Sequence, residues 1–88
     1  MEKRQVIVRN RSGIHARAAA KLVTLCSRLH SRVVLFYNGR AADGRHLIAI
    51  LTLSAAMGAQ ITIEASGPDE KFAASAVMQL ISNGFGEP

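Results

Sequence analysis

The chain has 88 residues, and no linker-like stretch divides it, so we expect a single domain over residues 1–88. No apolar run approaches the roughly 18 residues that span a bilayer, and no signal segment is evident, so we expect a cytoplasmic protein with no membrane contact. The net charge of +5 favours acidic partners, but the basic residues form no block and lack interleaved aromatics, which favours an acidic protein over nucleic acid.

The first elements are a strand and a helix joined by a short loop. Residues 5–9 alternate apolar with polar side chains, which predicts a strand. A loop is expected at residues 10–13, and the strong helix formers that follow predict a helix over residues 16–29. Helical spacing marks the buried face of this helix: Leu22, Leu25, Cys26 and Leu29.

Chemically useful groups concentrate at the junction between that strand and that helix. His15 falls at or just before the first turn, where main-chain N–H groups lack intrahelical acceptors and the helix dipole is positive. Such a helix end binds anions, phosphate especially. Arg17 adds a guanidinium that can hold phosphate oxygens, and Ser12 and Gly13 form the loop beside it. The residues alone leave open an ordinary exposed histidine at position 15.

The middle of the chain predicts a hairpin followed by an ambiguous apolar segment. Residues 32–37 have strong β preference, and Asn38-Gly39 favours a type I′ turn with a return strand over residues 40–42. Residues 47–56 are mostly apolar and end near Gly58, a plausible helix C′ glycine. Either a helix or a strand fits this segment.

The last third predicts a strand and a helix. Residues 60–66 alternate in polarity, as in a strand covered on one side. A helix is expected to start within residues 67–70 and to end at Gly84. Its apolar stripe contains Ala74, Val77, Met78, Ile81 and Phe85. One apolar face on each strand and helix indicates two layers, a sheet with helices on one side.

The hexapeptide from Ser12 to Arg17, Ser-Gly-Ile-His-Ala-Arg, resembles the site of the HPr family of histidine-containing phosphocarriers. The similarity extends from Gln5 to about Phe85, and the endings over residues 67–70 and 83–85 look closest to the nitrogen-related members. Many members carry proline where this chain has Ala18.

The resemblance implies both a fold and a function. The fold would be an α+β open-faced sandwich, β-α-β-β-α-β-α, with three helices on an antiparallel sheet of strand order 1-4-2-3 and a helix over residues 47–56. His15 would accept a phosphoryl group on Nδ1, with Arg17 and Ala16 stabilising the phosphate. The protein would be a monomeric phosphocarrier of the bacterial phosphoenolpyruvate-dependent phosphotransferase system, without cofactor or metal and not an enzyme. It would receive phosphate from Enzyme I and pass it to an EIIA-type protein.

The second helix adds an expected partner surface. Successive helical residues turn by about 100°, so its apolar side chains cannot all point inward. Some should remain exposed within a basic rim and form an interface. The predicted docking residues are Arg17, Lys21, Arg45, Leu47, Ile48 and Leu51.

His46 stands where many family members carry a regulatory serine, so we expect no serine switch at the second helix. The other functions considered are a regulatory HPr-like module and a small basic nucleic-acid binder. A metal site is disfavoured because His15, His30 and His46 lack ligand spacing.

Overall fold

The computed structural model describes residues 1–87, which form four β-strands and three α-helices in the predicted order. In chain order these are β1 (Glu2–Ile7), α1 (Ala16–Ser27), β2 (Arg32–Tyr37), β3 (Arg40–Asp43), α2 (Leu47–Thr52), β4 (Gln60–Ser66) and α3 (Glu70–Ser82). A single 3₁₀ turn, Gly84–Gly86, follows α3.

The strands form one antiparallel sheet in the order β1-β4-β2-β3. On the central strand β4, Ile63 lies opposite Arg4 of β1 and Leu35 of β2. Ile61, Ile63 and Ala65 are fully buried, whereas the residues between them are not. This alternation shows that the helices cover one face of the sheet. The predicted α+β open-faced sandwich and its strand order are confirmed.

The first strand lies earlier in the chain than predicted. It was expected over residues 5–9, but β1 is Glu2–Ile7. Its whole length pairs with β4, beginning with Glu2 opposite Ala65. Val8 lies beyond the strand although it is buried. The bounds of β1 are set by its pairing with β4, which is distant in the chain. The apolar pattern of residues 5–9 therefore could not predict them.

The β2–β3 hairpin turns at the predicted dipeptide. Asn38 and Gly39 have φ angles of 52° and 78°, and a type I′ turn requires positive φ at both central residues. The return strand β3 extends one residue beyond the predicted 40–42, to Asp43, which lies opposite Val34.

The segment at residues 47–56 begins as a helix, as the resemblance implied, but α2 ends at Thr52. Ser54 adopts the left-handed conformation, with φ 55°, and so occupies the position just past the helix. Gly58 is therefore not the C′ residue of this helix. The chain after α2 turns inward, because Leu53 and Ala55 are both buried.

The other two helices end close to their predicted positions. α1 stops at Ser27, two residues before the predicted end at residue 29. α3 ends as predicted, because Gly84 adopts φ 66° after the last turn.

At the start of α3, the Asp69 carboxylate accepts hydrogen bonds from Ser31 Oγ at 2.5 Å and from the His30 amide at 3.1 Å. These bonds, that of Ser31 foremost, lower the pKa of Asp69.

The core lies between the sheet and the helices. Its largest fully buried side chains include Phe85, Leu22, Leu35, Ile50, Ile61, Ile63 and Ile81. Cys26 faces this core as predicted, and burial raises the pKa of its thiol to about 11. Within residues 1–87, no helix has the length and apolar character needed to cross a membrane.

Candidate functional site

His15 is the N-cap of α1. Its backbone is extended (φ −87°, ψ −175°), and its carbonyl accepts the first helical hydrogen bond from the Ala19 amide at 2.8 Å. Ala16, predicted to help stabilise phosphate, is the first helical residue. Its amide therefore belongs to the N-terminal group that lacks intrahelical acceptors. The structure places His15, Ala16 and Arg17 together at the helix end that the sequence predicted.

The loop before His15 is held against the chain that follows α2. Gly13 has φ 65°, and a Cβ built on it would lie 2.5 Å from the Ala55 carbonyl oxygen. The Ile14 amide donates to that same oxygen at 2.9 Å, and the Ile14 side chain is buried. Glycine is needed at position 13 both for the left-handed backbone and for this close approach.

Two hydrogen bonds assign the proton on the His15 ring. The Arg17 main-chain N–H donates to Nδ1 at 3.2 Å, so Nδ1 carries a lone pair and no proton. Nε2 lies 2.8 Å from Glu87 Oε1, so it is placed to donate a hydrogen bond to that carboxylate. The ring nitrogen with a free lone pair is therefore Nδ1, at the amide end of the helix.

Two residues of this site, Glu87 and Asn10, were not predicted from the sequence. Asn10 is buried, and its Nδ2 donates to Glu87 Oε1 at 2.8 Å and to the Gly13 carbonyl at 2.7 Å. Hydrogen bonds from His15, and secondly from Asn10, lower the pKa of Glu87. Glu87 had no detectable signal, because it lies 72 residues along the chain from His15. Asn10 was treated only as part of a loop.

Positive side chains surround the imidazole. Arg11, Ser12 and Arg17 line a shallow hollow together with His15 and Glu87. Arg17 is exposed, so its guanidinium is accessible to an incoming anion. The hollow has the size and charge to receive a phosphoryl group beside Nδ1.

Lys21 has a structural contact that the sequence did not reveal. Its Nζ donates to the Phe85 carbonyl oxygen at 2.6 Å. Phe85 is buried and has φ 58° in the turn after α3. This hydrogen bond holds the turn that leads to Glu87 against α1. Lys21 is also one of the predicted docking residues.

The predicted docking residues fall in two places. On α2, Ile48 is 73% exposed and Leu47 39% exposed, whereas Leu51 is half-buried. His46 is the N-cap of α2, and its exposed side chain makes no capping hydrogen bond. Arg17 and Lys21 lie on α1, whose contacts with α2 bring the two helices together.

Arg45 is exposed and lies two residues before α2 begins. Its guanidinium donates to the Leu29 carbonyl at 3.0 Å and to the Cys26 carbonyl at 3.4 Å, at the C-terminal end of α1. Given the helical rise, that end lies roughly 18 Å from His15. The place of Arg45 in the basic rim of the docking surface stays a prediction.

The site offers no arrangement for a metal. Within residues 1–87, no group of three or more histidine, cysteine, aspartate or glutamate side chains is placed to hold a metal ion. The one close histidine–carboxylate pair at the site, His15 with Glu87, is engaged in a hydrogen bond.

These features, on this fold, are those of a protein that carries a phosphoryl group on a histidine. The family model described as "PTS HPr component phosphorylation site" matches residues 2–83. The chain belongs to this family, whose members are phosphocarriers of the phosphotransferase system, transiently phosphorylated on histidine and not themselves catalysts.

Relatives of this chain include proteins named HPr and proteins named NPr. Phosphocarrier protein HPr of Cupriavidus necator is 40% identical over 87 residues, 99% of this chain and 98% of the relative. Phosphocarrier protein NPr of Escherichia coli K12 is 41% identical over 86 residues, which cover 97% of this chain and 96% of the relative. Among solved structures, HPr-C-His from Thermoanaerobacter tengcongensis has a TM-score of 0.94 at 28% identity, covering 100% of this chain and 99% of that one.

Proposed function

We propose that Nδ1 of His15 is the atom that accepts the phosphoryl group, from Enzyme I, and that the group then passes to an EIIA-type protein. The observation that carries this proposal is the pair of hydrogen bonds on the ring. The Arg17 amide marks Nδ1 as unprotonated, and Glu87 holds the proton on Nε2. A neutral imidazole with its lone pair at a helix N-terminus can attack an anionic phosphoryl group that the same helix end attracts.

The transfer forms one bond to phosphorus and breaks another. Nδ1 attacks phosphorus in line, a P–N bond forms, and the bond from phosphorus to the donor's leaving atom breaks. The Arg17 amide, which no longer has Nδ1 as an acceptor, becomes free to donate to a phosphoryl oxygen. The Arg17 guanidinium offsets part of the up to roughly two negative charges that a phosphoryl group adds.

Partner docking is proposed on the exposed apolar residues of α2 beside the start of α1. Ile48 and Leu47 supply the apolar contact, Leu51 supports them from a half-buried position, and Arg17 lies at the edge nearest the phosphoryl group. An apolar patch of this kind marks an interface. The net charge of +5 would steer an acidic Enzyme I or acceptor protein toward it. We also infer that the carrier acts in the cytoplasm as a monomer.

The experiment is a mass measurement after incubation with phosphoenolpyruvate and a cognate Enzyme I. We expect the mass of a single phosphate on the wild-type protein and none on His15→Ala. The variants His30→Ala and His46→Ala are matched controls, because both histidines are exposed and lie outside the hollow, and they should be labelled like the wild type. A phosphate mapped to His30 or His46 would refute the assignment.

A further inference from the structure

Asn10 is an unusual residue for its location. It is only 1% exposed, and it packs beside Gly84, where an added Cβ would lie 3.4 Å from that of Asn10. Its Oδ1 is buried and has no hydrogen-bond partner within residues 1–87. An unpaired buried polar atom costs free energy that an apolar side chain would not. The unpaired Oδ1 therefore does not explain an asparagine here, and the explanation must lie in the contacts of Nδ2.

The other end of the same side chain shows what the amide does. Nδ2 binds Glu87 Oε1, the same oxygen that accepts from Nε2 of His15. Its second bond, to the Gly13 carbonyl, ties this carboxylate to the loop that positions His15. Two donors on one oxygen fix the carboxylate in place better than the imidazole could alone.

We propose that Asn10 and Glu87 are a positioning pair that keeps a proton on Nε2 of His15 both before and after Nδ1 carries the phosphoryl group. This inference rests on the proposed function, and it adds a role for two residues in the transfer itself. In the free protein the pair presents Nδ1 as the nucleophile. In the phosphorylated protein it keeps the ring protonated, which makes the ring a good leaving group.

The atoms balance without an outside proton. When Nδ1 bonds to phosphorus, the Nε2 proton stays in place and the ring becomes a phosphoimidazolium beside the Glu87 carboxylate. When an acceptor nucleophile attacks phosphorus, the P–N bond breaks and its electron pair returns to Nδ1. The ring is then the starting neutral tautomer, with its proton still on Nε2.

The charges near the ring give this pair a purpose. Arg17 on α1 and Arg11 in the loop line the hollow, and both oppose a positive ring. Lys21, also on α1, lies near enough to Glu87 to act on its carboxylate. Glu87 is the acidic side chain among the described residues that line the hollow. An opposite charge at hydrogen-bond distance favours the protonated ring. Without it, Nε2 would lose the carboxylate acceptor that the described residues of the hollow provide, and onward transfer would slow.

One test detects the Nε2 proton by ¹H–¹⁵N NMR and measures the rate of onward transfer. We expect an Nε2–H signal protected from solvent exchange in wild-type protein, both free and phosphorylated, and its loss in Glu87→Ala and Asn10→Ala. Onward transfer from either phosphorylated variant should be about tenfold slower than from wild type, because the reacting ring is no longer held in place.

Controls separate this role from a structural one. Asn83→Ala removes an exposed asparagine whose side chain makes no capping bond, and it should match wild type in both measurements. If Asn10→Ala fails to fold, Glu87→Ala decides, because Glu87 lies outside the core and follows the last turn. A wild-type signal and a wild-type rate of onward transfer in Glu87→Ala would overturn the proposal. If the Nε2–H signal is lost in Glu87→Ala but kept in Asn10→Ala, Asn10 is not part of the positioning mechanism.

The failure of the proposed function would look different. If wild-type His15 accepts no phosphate, the assignment of the phosphoacceptor fails whatever the NMR signal of the free protein shows. If His15 is phosphorylated and the Nε2–H signal is lost in no variant, the assignment stands and the positioning pair is wrong.

Discussion

Replacing Gly13 with alanine tests whether the backbone before His15 is held by contact with the chain after α2. An added Cβ would lie 2.5 Å from the Ala55 carbonyl oxygen and 2.8 Å from Ala56 Cα, and both are backbone atoms that cannot rotate away. The loop must therefore move. That movement would break the 2.9 Å hydrogen bond from the Ile14 amide to the Ala55 oxygen.

The cost can be worked from these contacts. An alanine in the left-handed region costs about 1–2 kcal/mol. Loss of the Ile14 hydrogen bond adds about 1 kcal/mol, and displacement of packed backbone adds a similar amount, so Gly13→Ala should lower the free energy of unfolding by about 3 kcal/mol. Since 1 kcal/mol corresponds to about 4–8 °C in Tm for a domain of this size, the loss should be clear in a thermal melt.

Gly39 provides the matched control. It also has positive φ, 78°, but an added Cβ would meet nothing within 4 Å. Gly39→Ala should therefore cost only the conformational term, about 1–2 kcal/mol. Urea unfolding of the two variants measures the difference. Equal losses would show that the contact of Gly13 with Ala55 does not hold the loop, and the reasoning would be refuted.

The same variant should affect phosphorylation. Moving the loop displaces the N-cap residue His15, and misplacement of a reacting atom by about 1 Å can slow a transfer by as much as about 100-fold. We therefore expect Gly13→Ala, at a temperature where it is folded, to accept phosphate from Enzyme I much more slowly than Gly39→Ala does. Equal rates would mean that the loop adjusts without moving His15.

Four further predictions follow from the site and its surroundings. Arg17→Ala should slow transfer while the free energy of unfolding changes by no more than about 0.5 kcal/mol, because the side chain is exposed; kinetics and urea unfolding check both. Ile48→Glu should weaken Enzyme I binding in calorimetry without lowering Tm, since the side chain is 73% exposed; a large loss of Tm with unchanged affinity would mean the residue serves folding. With His46 at the serine position of many relatives, incubation with ATP and an HPr serine kinase should give no phosphoserine by mass spectrometry. The lowered pKa of Asp69, held down chiefly by the bond from Ser31, means that stability is present above the ordinary carboxyl pKa and is lost as pH falls through the folded value. The free energy of unfolding should therefore fall less on acidification in Asp69→Asn than in wild type. Parallel plots of this free energy against pH for the two proteins would contradict the prediction.

Several parts of the fold could be predicted because their causes are local. The turn at Asn38-Gly39 depends on the φ angles that those two residues tolerate. The alternation of β4 follows from the period of a strand, and Gly84 ends α3 because it adopts a left-handed conformation easily. The strand order and the helical state of α2 were expected from the family resemblance, since the residues themselves left both open.

The sequence also placed His15 at the start of α1 with Arg17 beside it, because the strand, the loop and the helix formers are consecutive in the chain. It could not show Glu87 on the ring, since 72 residues separate them and only the packing of α3 brings the turn after it to the site. Two other contacts also depend on tertiary packing and could not be predicted. They are the hydrogen bonds from Lys21 to the Phe85 carbonyl and from Arg45 to the Leu29 carbonyl. Local structure determined where the imidazole lies and that Nδ1 accepts a hydrogen bond from the Arg17 amide, and the tertiary fold decided that Nε2 meets the Glu87 carboxylate.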